Sequence, residues 1–192
     1  MRRKATGNTG AGDADATTDA SADADTEFQD YMAGRWPALV RTAFLLTGDR
    51  SLAEDLAQTA LTKVYASWKR VRRADDVDAY VRRVLVNANS ERFRKKRVAE
   101  HLVAAPQDAS AHDPHESYVR RSALMAALAE LPARQRAVVV LRYWEDLTEQ
   151  QIAAALGCST GTVKSQASKA LARLRHNPAV GEALLGCDPV AA

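Results

Sequence analysis

Apolar residues along most of this chain recur three or four positions apart, which is the spacing of one face of an α-helix. A first helix is predicted from Phe28 onward, and Pro37 fits the first turn of a second helix. Ser51 with Glu54 three positions later forms a capping-box signature that predicts the start of the next helix. No stretch alternates apolar and polar residues as a half-buried strand would. The pattern therefore predicts an all-α chain.

A charged loop at residues 70–77 precedes a further predicted helix. Asp76 or Asp78 is placed to cap this helix, and its end is the basic run RFRKKR at residues 92–97. Residues 98–116 include two prolines and show little hydrophobic periodicity. They predict a flexible linker between two small helical domains.

The segment after residue 116 is predicted to form four helices. Thr148 with Gln151 forms a second capping box and predicts a short helix. The tripeptide GCS at 157–159 is typical of a tight turn, and the last long helix is predicted from Thr160 to Arg175. A short helix, a glycine-containing turn and a longer helix in this order predict a helix-turn-helix.

The two ends of the chain differ in composition from the rest. Residues 1–26 contain no large apolar side chain after Met1, and residues 13–30 contain seven acids and no base. Such a segment buries too little apolar surface to offset the entropy lost on ordering. A disordered acidic tail is therefore predicted over 1–26, and a C-terminal tail over 178–192. One hypothesis is that the acidic tail shields basic surfaces of the same chain.

Composition and spacing exclude several classes of protein. No apolar window is long enough to span a membrane, and polar residues follow the basic start, so we expect no signal peptide and a cytoplasmic location. Cys158 and Cys187 form neither a disulfide framework nor a zinc pattern. His112 and His115 lack a third ligand, and no pair suited to nucleophilic or acid–base catalysis stands out. We therefore expect no metal, no cofactor and no enzymatic activity.

Basic residues are concentrated in two blocks of the sequence. Residues 60–97 contain twelve Lys and Arg against four acids, and residues 134–176 contain seven against three. Two such blocks favour contact with a polyanion, but basic helix faces that are merely solvated have the same composition. Charge alone leaves both alternatives open.

The composition of the last predicted helix favours contact with a polyanion over a basic face that is merely solvated. Val163 and Leu174 lie on its apolar side, whereas the opposite side is basic, small and able to form hydrogen bonds. No carboxylate occurs from Ser159 to Asn177, although a solvated helix usually mixes Glu with Lys. Side chains of this kind can enter a major groove and read base edges. The helix therefore predicts DNA recognition, with a plain solvated helix as the alternative.

Both halves of the sequence resemble one known family. The run DLTEQQIAAALGCSTGTVKSQASKALARLR, preceded by LPARQRAVVVLRYWE, resembles region 4 of the extracytoplasmic-function sigma factors of bacterial RNA polymerase. The run DRSLAEDLAQTALTKVYASW resembles their core-binding region 2, and VDAYVRRVLVNANSERFRKKR resembles the helix that reads the minus-ten promoter element. The resemblance implies a region 2 domain at 27–97, a linker at 98–116 and a region 4 domain at 117–177.

This resemblance implies a sigma factor that binds core RNA polymerase, at the coiled coil of the largest subunit and at the flap region, and directs initiation at promoters. An anti-sigma factor is a further expected partner. The implied contacts with core polymerase are Asp55, Gln58, Leu61 and Thr62. The implied minus-ten contacts are Arg70, Val71, Arg72, Arg82, Arg83, Asn87 and Arg94. The implied minus-thirty-five contacts are Thr162, Lys164, Ser165, Gln166, Ser168, Lys169 and Arg173.

Two of these positions carry a more specific expectation. Asn87 corresponds to the position that lines the family's pocket for an extruded base, and an amide can pair with a base edge. Gln166 stands at a position where many relatives have arginine. The arginine guanidinium suits guanine, whereas the glutamine amide prefers adenine. The alternative function is a helix-turn-helix regulator that binds duplex DNA without core polymerase, usually as a dimer.

Overall fold

The computed structural model of the chain describes the backbone of residues 12–100 and 116–177 and the side chains of residues 23–95 and 123–177. In these ranges the regular elements are helices and no strand occurs, which confirms the all-α prediction. None of the helices in the described ranges is long and apolar enough to cross a membrane. The helices are α1 (Gly12–Thr47), α2 (Arg50–Tyr65), α3 (Trp68–Val71), α4 (Val77–Glu100), α5 (Glu116–Glu130), α6 (Ala133–Tyr143), α7 (Glu149–Leu156) and α8 (Thr160–Arg175).

The first helix corrects two predictions from the sequence. Pro37 does not begin a second helix but lies inside α1, which continues to Thr47. A proline has a helical φ but lacks a backbone N–H, so it costs the helix one hydrogen bond. Strong packing on both sides of the proline can offset this cost and keep the helix continuous. Phe28 precedes Pro37, Leu46 follows it, and both are buried in the same apolar core. Tertiary packing therefore outweighs the local signal for a break.

The helix α1 begins at Gly12 and so extends into the segment 1–26 that was predicted to be a disordered tail. Ala24 is only 1% exposed, and the Asp25 carboxylate accepts a hydrogen bond of 2.9 Å from the Tyr65 hydroxyl. Glu27 lies 2.6 Å from the Arg72 guanidinium. These contacts with α2 and with the turn after α3 hold the acidic segment on the folded body, which its composition did not indicate.

The ends of the predicted linker also change. The helix α4 continues to Glu100 and α5 begins at Glu116, so residues 98–100 and 116 are helical. The rest of the predicted linker, including His112 and His115, lies outside the described residues, as do residues 1–11 and the predicted C-terminal tail.

The helix caps follow the sequence with one exception. The cap of α2 is Asp49, whose carboxylate accepts from the Leu52 amide at 2.8 Å, so the predicted Ser51–Glu54 box does not begin this helix. Asp76 is the cap of α4, since its carboxylate accepts from the Ala79 amide at 2.7 Å. The capping box of α7, with Thr148 as its cap, is confirmed.

The first half of the chain packs α1, α2 and α4 around a common apolar core. Leu85 and Val64 are fully buried between these helices. Trp68 is 5% exposed, and its ring meets the Phe28 ring edge-on with 5.2 Å between the centroids. Trp68 is therefore a core residue.

The two halves pack directly against each other. Val138 and Ile152 of the second half join the same buried cluster as Leu46 and Leu85 of the first. Arg136 is 6% exposed, and its guanidinium donates to the Leu46 carbonyl at 2.9 Å and to the Ala129 carbonyl at 2.6 Å. The buried cation therefore binds the carbonyl ends of α1 and α5 together. Its burial lowers the pKa of the Arg136 guanidinium below its ordinary value.

Candidate DNA- and polymerase-binding surfaces

The helix-turn-helix predicted near the C-terminus is present as α7, a tight turn and α8. Gly157 adopts a left-handed conformation with φ 60°, which a residue without Cβ tolerates and which ends α7. Cys158 packs, half-buried, against the apolar core, and the Ser159 hydroxyl caps α8 by accepting from the Thr162 amide at 3.2 Å. Val163 anchors α8 with no exposed surface. The turn and this anchor fix which face of α8 points outward.

The outward face of α8 carries the predicted minus-thirty-five residues. Thr162 and Gln166 are half-buried, and Arg173 is exposed but donates to the Gln135 amide oxygen at 3.1 Å. The opposite face, with Ala167 and Ala170, is buried as the sequence predicted. The exposed side chains on the outward face are Lys164, Ser165, Ser168 and Lys169. The face thus offers cations and hydroxyls to a ligand.

One carboxylate from a neighbouring helix reaches this face, and sequence reasoning missed it. Glu149, in the first turn of α7, accepts a 2.9 Å bond from Arg142 of α6 and lies 3.5 Å from Lys164 of α8. The Arg142 hydrogen bond lowers the pKa of the Glu149 carboxyl, and the Lys164 charge adds to this effect. Because Glu149 and Lys164 belong to different helices, helical periodicity does not reveal their contact.

The predicted minus-ten residues lie around the α3–α4 turn and along α4. Asn87, Arg70, Arg83 and Arg94 are exposed, so their side chains are free to reach a ligand. Arg83 lies over the Tyr80 ring, 5.6 Å from its centroid.

Three other members of that set are less available. Arg72 is paired with Glu27 at 2.6 Å, and Arg82 lies 3.7 Å from Asp76. Val71 is 3% exposed and packs in the core, so in this conformation its side chain is not accessible for the contact with DNA that the resemblance implies. The α3 helix turns the Val71 side chain inward, whereas the sequence alone suggested an open loop. The exposed basic side chains of Arg70 and Arg83 therefore surround a buried apolar anchor, Val71.

The predicted polymerase-binding residues lie together along a groove between α1 and α2. Asp55, Gln58 and Thr62 are exposed on α2, at the helical spacing of one stripe. Leu61 is 4% exposed and belongs to the core, so it supports the groove more than it projects from it. The side chains that line the facing wall and the end of the groove are Phe28, Met32, Trp36 and Tyr65. Polar and apolar groups on opposite walls suit an amphipathic helix.

The chain matches two family profiles, one in each half. The profile for Sigma-70 region 2 matches residues 35–98, and the profile for Sigma-70 region 4 matches residues 121–174. The first match contains the predicted minus-ten residues and the α2 side of the groove, and the second contains the helix-turn-helix. The surfaces described above therefore lie largely within two domains of one family.

Relatives along most of the chain agree with these profiles. The RNA polymerase sigma-E factor of Streptomyces avermitilis is 44% identical over 150 residues, which cover 78% of this chain and 84% of the relative. The ECF RNA polymerase sigma factor SigL of Mycobacterium tuberculosis is 30% identical over 154 residues, with 77% and 84% covered. The solved structure of the sigma factor RpoE in complex with the anti-sigma factor NepR, from Bartonella quintana, matches with a TM-score of 0.65 at 25% identity and covers 83% of this chain and 97% of that one.

A regulator that acts on DNA by itself would need the helix-turn-helix but not the region 2 domain. Here both regions are present, in the family's order and in relatives of similar length. The chain therefore belongs to the extracytoplasmic-function sigma factors, the subunits that bind core RNA polymerase and make its initiation specific for certain promoters.

Proposed function

We propose that the groove between α1 and α2 binds a helix of core RNA polymerase, in the coiled coil of the largest subunit. The exposed Asp55, Gln58 and Thr62 form its polar wall, and Met32 and Trp36 form part of its apolar wall. An amphipathic partner helix can satisfy both walls at once. The second half is proposed to contact the flap region, an assignment supported by the family resemblance.

The minus-ten element is proposed to bind the basic surface of the α3–α4 turn and α4. Exposed Arg70, Arg83 and Arg94 supply cations for backbone phosphates, which gives affinity with little sequence preference. Arg72 and Arg82 join them once their carboxylate partners are exchanged for phosphates. Exposed Asn87 supplies an amide that can pair with the edge of a base out of the stack.

The helix α8 is proposed to bind in the major groove of the minus-thirty-five element. Lys164, Ser165 and Lys169 are exposed on one face and suit contacts with base edges, with Gln166 and Ser168 beside them. Thr162 and Arg173 lie at the borders of this face and suit phosphate contacts. The observation that supports the proposed function best is the presence, on one chain, of a basic face of α8, a helix with no carboxylate in its own sequence, and of a separate polar–apolar groove.

The test of this function is transcription with purified components. Full-length chain and core RNA polymerase are mixed with genomic fragments, and the 5′ ends of the transcripts are mapped. We expect new start sites that share upstream elements and that require both the chain and the core enzyme. Specific binding of the chain alone to duplex DNA, with no effect on start-site choice, would favour the regulator instead.

A matched pair of variants tests the groove. Asp55→Ala removes an exposed carboxylate that lines the groove, whereas Thr59→Ala changes an exposed residue of the same helix outside the lining. We expect Asp55→Ala to weaken binding to core polymerase about tenfold, as central interface residues often do. Thr59→Ala is expected to bind as the wild type does. Equal affinities for both variants would contradict the assignment.

The proposal also covers the chemistry, location and regulation of the chain. We infer that it performs no reaction of its own, since nucleotide addition belongs to the core enzyme, and that it acts in the cytoplasm. An anti-sigma factor is a proposed partner because the similar RpoE was solved in complex with NepR. A partner that co-purifies with the chain and is displaced by purified core polymerase is the expected result. A partner that binds the chain together with core polymerase would contradict it.

A further inference from the structure

A series of charged contacts links α6, α7 and α8, three of the four helices of the DNA-binding half. The Glu149 carboxylate holds Arg142 of α6 with one oxygen, at 2.9 Å, and lies 3.5 Å from Lys164 Nζ of α8 with the other. The Lys164 side chain is 68% exposed, whereas the Glu149 side chain is 28% exposed. The carboxylate is thus the more buried partner, with a second cation bound to it, and the lysine is the more exposed one.

The contact with Glu149 changes what Lys164 can do on DNA. A lysine ammonium has three N–H donors and a flexible stem, so an isolated lysine on this face would contact whichever phosphate or base lies nearest. An ammonium held from one side by a carboxylate keeps two donors for other acceptors. Two donors match the two acceptors, O6 and N7, that guanine presents in the major groove.

The same carboxylate disfavours contacts that are not specific. No carboxylate occurs in the sequence of α8, so Glu149 brings negative charge to a face otherwise made of cations and hydroxyls. If a backbone phosphate draws Lys164 away, Glu149 keeps only Arg142 as a cationic partner. The negative charge of Glu149 also repels the phosphate. The contact therefore selects against phosphate binding by Lys164.

From this geometry we propose that Glu149 is a positioning residue for promoter selection: it aims Lys164 at one base of the minus-thirty-five element and restrains it from the phosphates. This inference rests on the proposed binding of α8 to that element. It assigns a specificity role to a residue of α7, outside the set of base-reading positions on α8.

The test compares variants in reconstituted holoenzyme on a promoter library with a randomised minus-thirty-five element. Glu149→Gln keeps the shape of the side chain and removes its charge. We expect preference at one position of the element to fall by up to about fivefold, since an exposed ion pair contributes up to about that factor. We also expect affinity for non-promoter duplex to rise. Lower selectivity with higher general affinity is a combination that misfolding does not produce.

Double variants identify the lysine through which Glu149 acts. In a Lys164→Ala background, Glu149→Gln should have no further effect on base preference, whereas in a Lys169→Ala background its effect should persist in full. Glu149→Asp keeps the charge but shortens the reach to Lys164. It should lower selectivity and leave affinity for non-promoter DNA unchanged.

A control variant removes the same charge elsewhere in this half. Glu130→Gln changes an exposed carboxylate at the end of α5, and its promoter profile should equal that of the wild type. The positioning role is overturned if Glu149→Gln leaves the profile unchanged, or if its effect is equally large without Lys164. A wild-type holoenzyme with no minus-thirty-five preference would instead overturn the proposed function, and the positioning role with it.

Discussion

The buried guanidinium of Arg136 makes a prediction about stability that can be worked from its contacts. Arg136 donates to the carbonyls of Leu46 at 2.9 Å, Ala129 at 2.6 Å and Leu131 at 3.3 Å. These carbonyls lie at or just beyond the ends of α1 and α5, where no helical N–H is available to them. The guanidinium also lies 5.9 Å from the centroid of the Phe93 ring. One side chain therefore joins both halves of the chain.

The perturbation is Arg136→Met, which keeps a long side chain and removes the donors. Each buried carbonyl left without a partner costs about 1–3 kcal/mol, and burying an apolar side chain in place of a cation offsets part of that. With two short bonds lost, we expect the free energy of unfolding to fall by about 3 kcal/mol. For a domain stability of about 5–15 kcal/mol this is a large fraction.

The assay is urea unfolding followed by far-UV circular dichroism, with Arg134→Met as the matched control. Arg134 lies on the same helix and is exposed, so the same substitution there should leave the unfolding midpoint nearly unchanged. Arg136→Lys keeps the charge but replaces the planar guanidinium with a single ammonium group. Its unfolding midpoint should lie between those of Arg136→Met and Arg134→Met. Equal midpoints for Arg136→Met and Arg134→Met would refute the capping argument.

Three further predictions concern DNA binding and the acidic segment. Lys169→Ala should change which minus-thirty-five sequences the holoenzyme prefers, measured by start-site mapping, because Lys169 is exposed on the outward face of α8. Arg94→Ala should weaken promoter binding alike on all sequences and reduce the salt slope of log K by about one, measured by titration at several salt concentrations. The Asp25 hydrogen bond raises the pKa of the Tyr65 hydroxyl above its ordinary 10.0. The contribution of this hydrogen bond to the free energy of unfolding is therefore fully present below pH 10.0 and is lost as the pH rises through the raised pKa of Tyr65. Asp25→Ala should return the Tyr65 titration, followed by ultraviolet absorbance, toward 10.0. An unchanged titration would mean that α1 does not hold Tyr65 in solution.

Features set by neighbours in the sequence were predicted well. The bounds of α8 agree with the prediction at both ends, and its buried face contains Val163 and Ala167 as the helical wheel required. The capping box at Thr148 and the turn at Gly157 also follow the prediction. In these places the local preferences of the chain and the packing around it favour the same structure.

Features set by distant contacts were not predicted. Pro37 signals a helix start, but the burial of apolar residues on both sides of it keeps α1 continuous. The acidic composition before Phe28 signals disorder, but Ala24 is buried and Glu27 pairs with Arg72. Val71 stands in a basic run that suggests an exposed loop, yet it anchors α3 in the core. Each error arises where a tertiary contact outweighs a local preference.

The contact between the two halves sets a geometric condition on the proposed function. Promoter elements 25 positions apart lie about 85 Å apart on B-DNA, at about 3.4 Å per base pair. In this structure α4 packs against α7, and Arg136 bonds to Leu46 across the boundary. Because α4 carries most of the predicted minus-ten residues, is about 36 Å long and packs against α7 of the helix-turn-helix, the two predicted DNA-binding surfaces lie much closer together than about 85 Å. The fifteen residues 101–115 between α4 and α5 extend to at most about 50 Å. The proposed recognition of both elements by one chain therefore predicts that the bond from Arg136 to Leu46 breaks and that the apolar core divides between the halves when the chain binds a promoter.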